Sequence, residues 1–376
     1  MSKLPMKKLR VAFVGCGGIA EHYLKIYRDL PWVEMACCMD ADLTRAERAA
    51  ERMAEGTLSK PPVRATDDFN EALQDDVDVV VINTPNYLHC EQALEAFAAN
   101  KHLLMQKPLA ATLEEARMIV VAAARAQKRG IQSGLYMSYL EQPLMHDLRA
   151  MAAAGWFGQI VSLSGRLMHR GGLLISEQLK AGQPNWRASL EQTGGGCFIQ
   201  HAVHYLHLFE WITNARITRV MAMASNLVCP GIEGEVLASA IFELDNGAQA
   251  TLETSWATAG EAFSVRGTKG TAEYLNNQTL WLESSQGAYE GHVVRYADTE
   301  SDFTPGAPAS ANAAQQRTLY APRLDDLNNQ FNQHLQFLEA IRDGRAPFVP
   351  IATGLHDLQI VNAAYESART GQAINL

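Results

Sequence analysis

Three small residues near the start of the chain have the spacing of a turn that binds phosphate groups. Gly15, Gly17 and Ala20 follow a short apolar segment and open a helical pattern. Glycine at the first position permits the tight turn, and at the second it lets backbone N–H groups approach a pyrophosphate. The small third residue lets the helix pack closely, with the positive end of its dipole toward the anion. This predicts a dinucleotide site that also includes Gly18 and Ile19.

An acidic residue follows at the end of the second apolar segment. Asp40 lies about twenty positions after the turn, and its carboxylate would accept hydrogen bonds from both ribose hydroxyls of NAD and repel a 2′-phosphate. Arg45 would favour NADP instead, so NAD is the predicted cofactor and NADP stays an alternative. Without a dinucleotide, the glycines would form an ordinary tight turn and Asp40 would cap the next helix.

The elements that must position these residues alternate between strand and helix over residues 1–133. The run 77–82 is almost entirely valine and isoleucine, as in strands buried on both faces of a parallel sheet. The alternation predicts an α/β Rossmann domain with a doubly wound parallel sheet.

Over residues 134–376 strand-like segments dominate, and 245–247 (Asp-Asn-Gly) is a strong hairpin signal. The second domain is predicted to be α+β with a large, mainly antiparallel open sheet, and its last helices are candidates to pack back on the first domain.

Composition and charge argue against several classes of protein. Of the 376 residues, 47% are hydrophobic and 19% charged, which is typical of globular proteins. The net charge of -9 argues against nucleic acid or a membrane surface as the main partner. No segment approaches the ~20 apolar residues of a membrane span, and the start lacks a signal-peptide pattern. A cytoplasmic protein is therefore expected, with its six cysteines as reduced thiols because none forms a Cys-x-x-Cys pair.

Several later motifs occur in a distinctive order. They are 83–89 (NTPNYLH), 106–108 (QKP), 186–187 (WR), 194–204 (GGGCFIQHAVH) and 267–270 (GTKG). Together with the glycine turn they resemble the Gfo/Idh/MocA oxidoreductase family, which includes sugar, inositol and glucose–fructose oxidoreductases, over nearly the whole chain. The resemblance implies NAD(P)-dependent oxidation or reduction of a hydroxyl or keto group on a sugar, polyol or inositol-like substrate.

The resemblance also implies further cofactor contacts. Four of them lie in the loop after the fourth strand: Thr84, Pro85, Asn86 and His89. His89 would order this loop or simply cap the next helix. Gln106 stands where the family usually has Glu, so a charge interaction with Lys107 is absent. Gln200 stands where the family usually has Asp, and an amide can hydrogen-bond a substrate hydroxyl but cannot accept its proton.

Lys107 is the first candidate for chemistry on the substrate. It follows the strand-like segment 102–106 and precedes Pro108, so it would lie at the carboxyl end of the sheet, beside the nicotinamide. An ammonium there can hydrogen-bond the reacting oxygen and stabilise developing negative charge. Partial desolvation would lower its pKa and let it join the proton transfer. The alternative is a solvated lysine at a strand end.

His204 is the candidate general base, since an imidazole pKa near ~6.5 suits proton exchange at neutral pH. It lies four residues after Gln200 on a helix predicted over 197–211, so the two share a face. His207 is a candidate substrate contact, and His201 is interpreted as structural. These histidines recur every three residues, but the third drifts about 120° from the first on a helix of 3.6 residues per turn. No carboxylate completes a zincin-like set, so no metal is predicted.

The remaining candidates for substrate binding are Tyr136, Trp186 and Arg187, with Tyr139, Arg166 and His169 as weaker ones. The resemblance implies a homodimer or homotetramer that pairs through the sheet of the second domain.

Two other functions of the protein stay open. One is a redox-neutral enzyme whose tightly bound NAD oxidises the substrate transiently for elimination or epimerisation. The other is a non-catalytic, NAD-binding regulatory protein.

Overall fold

The computed structural model describes residues 8–54, 62–275, 279–284, 293–295, 316–322 and 331–376. In this part of the chain the strands are β1 Leu9–Val14, β2 Val33–Met39, β3 Arg64–Thr66, β4 Val79–Ile82, β5 His102–Met105, β6 Ser133–Leu135, β7 Ile160–Met168, β8 Ile217–Ser225, β9 Leu237–Leu244, β10 Gln249–Ser255, β11 Gly260–Gly267, β12 Gly270–Leu275, β13 Thr279–Ser284, β14 Val293–Arg295, β15 Gln316–Pro322 and β16 Ile374–Asn375. The helices are α1 Gly18–Asp29, α2 Leu43–Ala54, α3 His89–Ala98, α4 Leu113–Gln127, α5 Pro143–Ala153, α6 Gly171–Lys180, α7 Leu190–Thr193, α8 Cys197–Thr213, α9 Gln333–Asp343 and α10 Thr353–Thr370. None of these helices combines the length and the hydropathy that a membrane span requires.

These elements belong to two compact units. The first unit contains the described residues within 1–137, 191–194 and 332–358. The second contains those within 138–190, 195–331 and 359–376. The domain boundary at residue 133 stays a prediction.

The first unit is built on a six-stranded sheet in the order β3-β2-β1-β4-β5-β6. Every neighbouring pair is parallel, and β1 lies between β2 and β4, so the winding reverses there. All four residues of β4 are buried, which explains why its sequence is uniformly apolar rather than alternating. The predicted doubly wound parallel sheet is confirmed. In such sheets ligands bind beyond the carboxyl ends of the strands, where the winding reverses.

A buried histidine from α9 completes the core of this unit. His334 is 1% exposed, and its ring centroid lies 4.3 Å from that of Tyr23 and 4.8 Å from that of Tyr136. Its Nδ1 is hydrogen-bonded to the Tyr27 hydroxyl at 2.6 Å. Burial lowers the pKa of His334 to about 3, so the folded protein holds this imidazole neutral at physiological pH.

We expect mild acid to destabilise the protein through His334. The unfolded chain protonates this residue near pH ~6.5 and the folded chain only near 3, so the unfolded state gains its proton first and stability falls as pH falls between these values. The loss between pH 7 and pH 5 is about 2 kcal/mol from this residue. Chemical denaturation at both pH values should therefore show a smaller pH effect in His334→Gln than in the wild type. An equal effect in both proteins would contradict the prediction.

The second unit is built on a larger sheet, which among the described residues has ten strands in the order β14-β15-β13-β12-β11-β7-β10-β9-β8-β16. All neighbouring pairs are antiparallel except β7 and β10. The turn at 245–247 joins β9 to β10, as predicted. The almost wholly buried helix α8 packs against β7, β9 and β10. The predicted, mainly antiparallel open sheet is confirmed.

Candidate active site

The glycine turn connects β1 to α1 in the first unit. Gly15 has a φ of +86°, and a Cβ built there would lie 2.8 Å from the carbonyl carbon of Asn83, so only glycine fits. At Gly17, the N-cap of α1, and at Gly18, a Cβ would meet no described atom within 4 Å. Ala20 is fully buried, which lets α1 pack against the sheet. The turn thus leaves room beside the first N–H groups of α1, which fits a bound pyrophosphate.

Asp40 follows β2 and faces the same turn. Its carboxylate accepts a hydrogen bond from the backbone N–H of Cys16 at 2.7 Å and one from that of Asp42 at 3.0 Å. A carboxylate has about four acceptor positions, so both oxygens can still accept from ribose hydroxyls. The guanidinium of Arg45 is paired with Asp42 at 3.3 Å, and both side chains are more than half exposed. The carboxylate that pairs with Arg45 therefore belongs to the residue directly before α2.

His89 ties together two loops that follow neighbouring strands. Its Nε2 lies 2.9 Å from the carbonyl oxygen of Thr84, and its Nδ1 lies 3.0 Å from that of Pro108. Burial lowers the pKa of His89, so the ring is neutral near pH 7 and donates its single N–H to one of these carbonyls at a time. The Thr84 hydroxyl donates to Oε1 of Gln92 at 2.6 Å. These contacts hold the loop after β4 against the loop after β5.

Asn86 is buried and anchors a distant glycine segment. Its side-chain N–H₂ donates to the carbonyl oxygen of Thr193 at 2.9 Å. The next residue, Gly194, has a φ of +79°, and a Cβ there would lie 1.9 Å from the carbonyl oxygen of Ala111. Asn86 thus holds the backbone that leads toward α8. Its role as a cofactor contact stays a prediction, as does that of Pro85, which precedes the 3-10 turn Asn86–Leu88.

Two amide side chains, each with a buried N–H₂ group, lie at the carboxyl ends of β4 and β5. Asn83 directly follows β4 and Gln106 directly follows β5, and these strands are neighbours in the sheet. The Gln106 Oε1 accepts from the backbone N–H of Lys107 at 3.0 Å. The Nδ2 of Asn83 and the Nε2 of Gln106 have no hydrogen-bond partner among the described residues. Buried donors are normally paired, so these two, which we call the amide pair, fit a polar ligand held beside Lys107.

In the second unit, the N-terminus of α8 is closed by a carboxylate from the chain itself. The Glu235 carboxylate accepts from the backbone N–H groups of Gly196 at 2.9 Å and Phe198 at 2.8 Å, and from the Tyr365 hydroxyl at 3.0 Å. The Tyr365 hydroxyl also accepts from the backbone N–H of Ile199 at 3.1 Å. Burial raises the pKa of Glu235, while the backbone hydrogen bonds oppose this. This helix end is therefore filled and is not a phosphate site.

The polar residues that α8 presents are mostly buried. Gln200, His201 and His204 are less than a tenth exposed, and His207 is half-buried. The ring centroid of His204 lies 4.9 Å from that of Tyr139, which belongs to the 3-10 turn Ser138–Glu141. A largely desolvated imidazole packed against an aromatic ring is held in a defined orientation, as proton transfer requires.

His201 is engaged in a chain of hydrogen bonds. The backbone N–H of Gly171 donates to Nδ1 of His169 at 2.9 Å, so a neutral His169 carries its proton on Nε2. That Nε2 lies 2.8 Å from Nε2 of His201, which also accepts from the indole N–H of Trp256 at 3.2 Å. Nε2 of His201 is thus engaged with two structural partners, Trp256 and His169, which leaves His204 as the candidate base.

Comparison with known proteins identifies the family. Residues 9–134 match the model of an oxidoreductase family with an NAD-binding Rossmann fold, and residues 145–273 match the GFO/IDH/MocA C-terminal domain. The chain belongs to the GFO/IDH/MocA oxidoreductase family. The predictions of this family, of an oxidoreductase enzyme and of an NAD-binding Rossmann domain are confirmed.

Individual relatives of this GFO/IDH/MocA member cover most of its length. The 1,5-anhydro-D-fructose reductase of Ensifer adhaerens is 28% identical over 338 residues, 89% of each chain. The scyllo-inositol 2-dehydrogenase (NAD(+)) of Bacillus subtilis (strain 168) is 24% identical over 379 residues, 98% of this chain and 96% of that one. A crystal structure of an oxidoreductase domain protein from Kribbella flavida has a TM-score of 0.79 at 21% identity, covering 98% of this chain and 99% of that one. That likeness concerns the fold.

The structure of this oxidoreductase places the other predicted residues in different surroundings. Tyr136 is 3% exposed and packs in the core of the first unit against Tyr23 and His334. Its ring therefore stabilises this core, whereas the sequence predicted a substrate contact. Trp186 is half-buried, and the exposed guanidinium of Arg187 stacks over its ring at 4.4 Å. The side chain of Ile19 lies outside the described residues. Among the residues that the structure describes, no group of three or more His, Cys, Asp or Glu is placed to hold a metal.

Sequence reasoning did not single out three residues that shape the site of this oxidoreductase. Asn83 had a local signal, since it is the first polar residue after the buried strand β4. Glu235 and Tyr365 had none, because they reach the start of α8 from about 40 and 165 residues further along the chain.

Proposed function

We propose that this oxidoreductase transfers hydride reversibly between NAD and a hydroxyl-bearing carbon of a sugar, polyol or inositol-like substrate. The observation that carries the proposal is the position of Lys107 beside the amide pair, at the carboxyl edge of the sheet that also carries the glycine turn and Asp40. The names of the two relatives above, a reductase of anhydrofructose and a dehydrogenase of inositol, support the class of substrate.

The residues of the first unit hold the cofactor in this proposal. Asp40 accepts hydrogen bonds from ribose hydroxyls, and the first N–H groups of α1 face the pyrophosphate across the open side of Gly17. The amide pair donates to polar atoms at the nicotinamide end. NAD, when bound, supplies the carbon that accepts the hydride.

The two chemical roles fall to Lys107 and His204. Lys107 donates a hydrogen bond to the reacting oxygen and stabilises the negative charge that develops on it. His204 accepts the hydroxyl proton on a ring nitrogen as the hydride leaves carbon. Gln200, His207, Trp186 and Arg187 contact other hydroxyls of the substrate.

A panel of sugars, polyols and inositols tests the function. With NAD added, at least one class should give NADH absorbance at 340 nm, and a deuterium label on the reacting carbon should appear in the reduced cofactor. Product formation without added NAD by protein that retains its cofactor would instead support the redox-neutral alternative. Firm NAD binding with no turnover of any compound would overturn the dehydrogenase proposal.

We expect Asp40→Ser to weaken NAD binding about tenfold to a hundredfold, because each hydrogen bond to a charged group contributes about 1.5–3 kcal/mol. NADP binding should improve relative to NAD, since the charge that repels the 2′-phosphate is removed. Isothermal titration with both dinucleotides measures the two effects. Arg45→Ala is the matched control and should leave NAD affinity unchanged. If Arg45→Ala lost NAD affinity and Asp40→Ser did not, the preference for NAD over NADP would not depend on Asp40.

Self-association through the sheet of the second unit is part of the proposal. Met221 and Ile241 are cross-strand neighbours on β8 and β9, and they are 50% and 54% exposed. Met223, two residues along β8, is 78% exposed. Apolar side chains that adjoin on a sheet face mark an interaction surface. The molar mass in solution, measured by light scattering, distinguishes a monomer from the proposed dimer or tetramer. The cytoplasmic location stays a prediction.

A further inference from the structure

His89 is a buried imidazole to which the proposed reaction assigns no step, and it stands between the loops that follow β4 and β5. It is the first residue of α3 and is 1% exposed. Its Nε2 lies 2.9 Å from the carbonyl oxygen of Thr84, and its Nδ1 lies 3.0 Å from that of Pro108. Both ring nitrogens are therefore engaged with the backbone of a loop, and the ring forms a bridge between the two loops.

On one side this bridge reaches the backbone that carries Lys107. The carbonyl group that faces Nδ1 of His89 belongs to Pro108, the residue directly after Lys107. The backbone N–H of Lys107 itself donates to Oε1 of Gln106 at 3.0 Å. The chain is thus held by a polar contact on each side of the Lys107 Cα. Because the proline ring removes rotation about its own N–Cα bond, a displaced Pro108 carbonyl displaces Lys107 as well.

On the other side the bridge reaches the loop against which the glycine turn packs. A Cβ built on Gly15 would lie 2.8 Å from the carbonyl carbon of Asn83 and 2.9 Å from the backbone nitrogen of Thr84. The start of the loop after β4 is therefore in close contact with the turn that is proposed to bind the pyrophosphate. Through Thr84, His89 connects this turn to the backbone of Lys107.

We propose that His89 is a positioning residue for the reaction: it fixes the Lys107 backbone by donating to the Pro108 carbonyl, and its contact with Thr84 ties that backbone to the loop after β4. This inference rests on the proposed function, in which the Lys107 ammonium stabilises charge on the reacting oxygen. A displacement of about 1 Å in an active site can cost about a hundredfold in rate. A contact that fixes the Lys107 backbone therefore bears directly on kcat.

The protonation state of His89 determines how the bridge works. Burial lowers the pKa of His89, so the ring is neutral near pH 7 and carries a single N–H. A neutral ring donates to Pro108 when its proton is on Nδ1 and to Thr84 when its proton is on Nε2. The two contact distances are nearly equal, so we expect the proton to be shared between the two nitrogens.

Asparagine and glutamine at position 89 separate the two contacts of the bridge. Both side chains carry an N–H₂ donor, which in asparagine lies near the position of Nδ1 and in glutamine near that of Nε2. His89→Asn therefore keeps a donor for Pro108 and lacks one for Thr84, whereas His89→Gln keeps a donor for Thr84 and lacks one for Pro108. Effects that the two variants share report the loss of the ring, and differences between them report the individual contacts.

The first test compares turnover with cofactor binding. His89→Gln should lower kcat about tenfold to a hundredfold and leave NAD affinity within about twofold, because Lys107 loses its anchor while Thr84 keeps its own. His89→Asn should retain more than about a third of wild-type kcat and bind NAD about threefold to tenfold more weakly, the effect of one neutral hydrogen bond. Steady-state rates and isothermal titration measure the two quantities.

The second test needs no substrate. In His89→Gln the backbone N–H groups of residues 109–111 should exchange with deuterium faster than in the wild type, while those of 86–88 keep the wild-type rate. In His89→Asn the pattern should be reversed. The ring ¹⁵N chemical shifts of His89 in the wild type should show the proton shared between Nδ1 and Nε2.

His102 provides the matched control. It is a partly buried histidine at the start of β5, whereas Lys107 follows the carboxyl end of that strand. Its Nδ1 accepts from the backbone N–H of Gln132 at 2.9 Å. His102→Gln makes the same chemical change as His89→Gln, and it should leave kcat, NAD affinity and the exchange rates of both loops at their wild-type values.

Wild-type kcat in His89→Gln, or an equal loss of kcat in His89→Gln and His89→Asn, would overturn the inference. If His89→Gln does not fold, the ring ¹⁵N shifts of the wild type decide, since a proton confined to Nε2 would mean that Pro108 receives no hydrogen bond. Hydrogen exchange is measured without turnover, so the two proposals fail separately. Opposite exchange patterns in the two variants of a protein that turns over no compound would overturn the dehydrogenase function and leave the bridge between the loops standing.

Discussion

Lys107→Met should lower kcat at least about a thousandfold and leave NAD binding intact. Methionine keeps the length of the side chain but removes the ammonium that stabilises charge on the reacting oxygen, and the loss of one such donor costs about 10²–10³ in kcat. The variant also loses the contribution of Lys107 to proton transfer, which lowers kcat further. Steady-state rates with a substrate that the wild-type enzyme oxidises measure the effect, and quenching of protein fluorescence by NAD measures binding.

Lys101→Met is the matched control for Lys107→Met. The Lys101 ammonium is buried and donates to the carbonyl oxygens of Gln74 and Val77, both at 2.8 Å. Lys101 precedes β5, whereas Lys107 follows the carboxyl end of that strand. This change should lower stability, because two buried carbonyls lose their donor, while kcat of the folded protein stays near the wild-type value. Lys107→Met with more than a third of wild-type kcat would show that Lys107 is the solvated lysine of the alternative interpretation.

Gly15→Ala and Gly17→Ala should separate folding from cofactor binding within one turn. Alanine at position 15 would have to adopt a left-handed backbone conformation. Its methyl group would also lie 2.8 Å from the Asn83 carbonyl carbon. The first effect costs about 1–2 kcal/mol and overpacking about 1–3 kcal/mol, so we expect the free energy of unfolding to fall by about 3 kcal/mol. Denaturant titration of the protein without NAD measures this loss.

Gly17→Ala should fold normally and bind NAD at least about tenfold more weakly. Its φ is -73°, and a Cβ meets no described atom within 4 Å, so the protein accommodates a methyl group there. The same methyl group would keep the backbone away from a pyrophosphate. Equal NAD affinity in Gly17→Ala and the wild type would show that the turn does not contact the phosphates. A stable Gly15→Ala protein would contradict the close contact with Asn83.

The fold class was predictable because its signals are local. In β4, burial on both faces requires apolar residues at every position, and this is visible in four consecutive letters. The turn at 245–247 and the helix containing His204 likewise follow from backbone preferences over a few residues. β11 has no such local signal, because it is bounded by Gly260 and Gly267 and its middle residues 263–265 are all buried, so it lacks a clear alternation.

The surroundings of the candidate residues were not predictable in the same way. Nothing local distinguishes Tyr136, which lies in the core, from Tyr139, which lies against His204. The partners that decide between these roles come from α9 and α8, about 200 and 65 residues further along the chain. Sequence spacing cannot report such contacts, since they form only when whole elements pack.

By itself the sequence determined the parallel and antiparallel sheets, the glycine turn, the acidic residue after β2 and the family, because each depends on backbone geometry over a short stretch or on motifs in a set order. Only the tertiary structure decided that Glu235 and Tyr365 close the start of α8, and that the side-chain nitrogen atoms of the amide pair are buried without partners among the described residues. The physical reason is that burial and hydrogen-bond partners are properties of packed surfaces, and the residues that share a surface are distant in the chain.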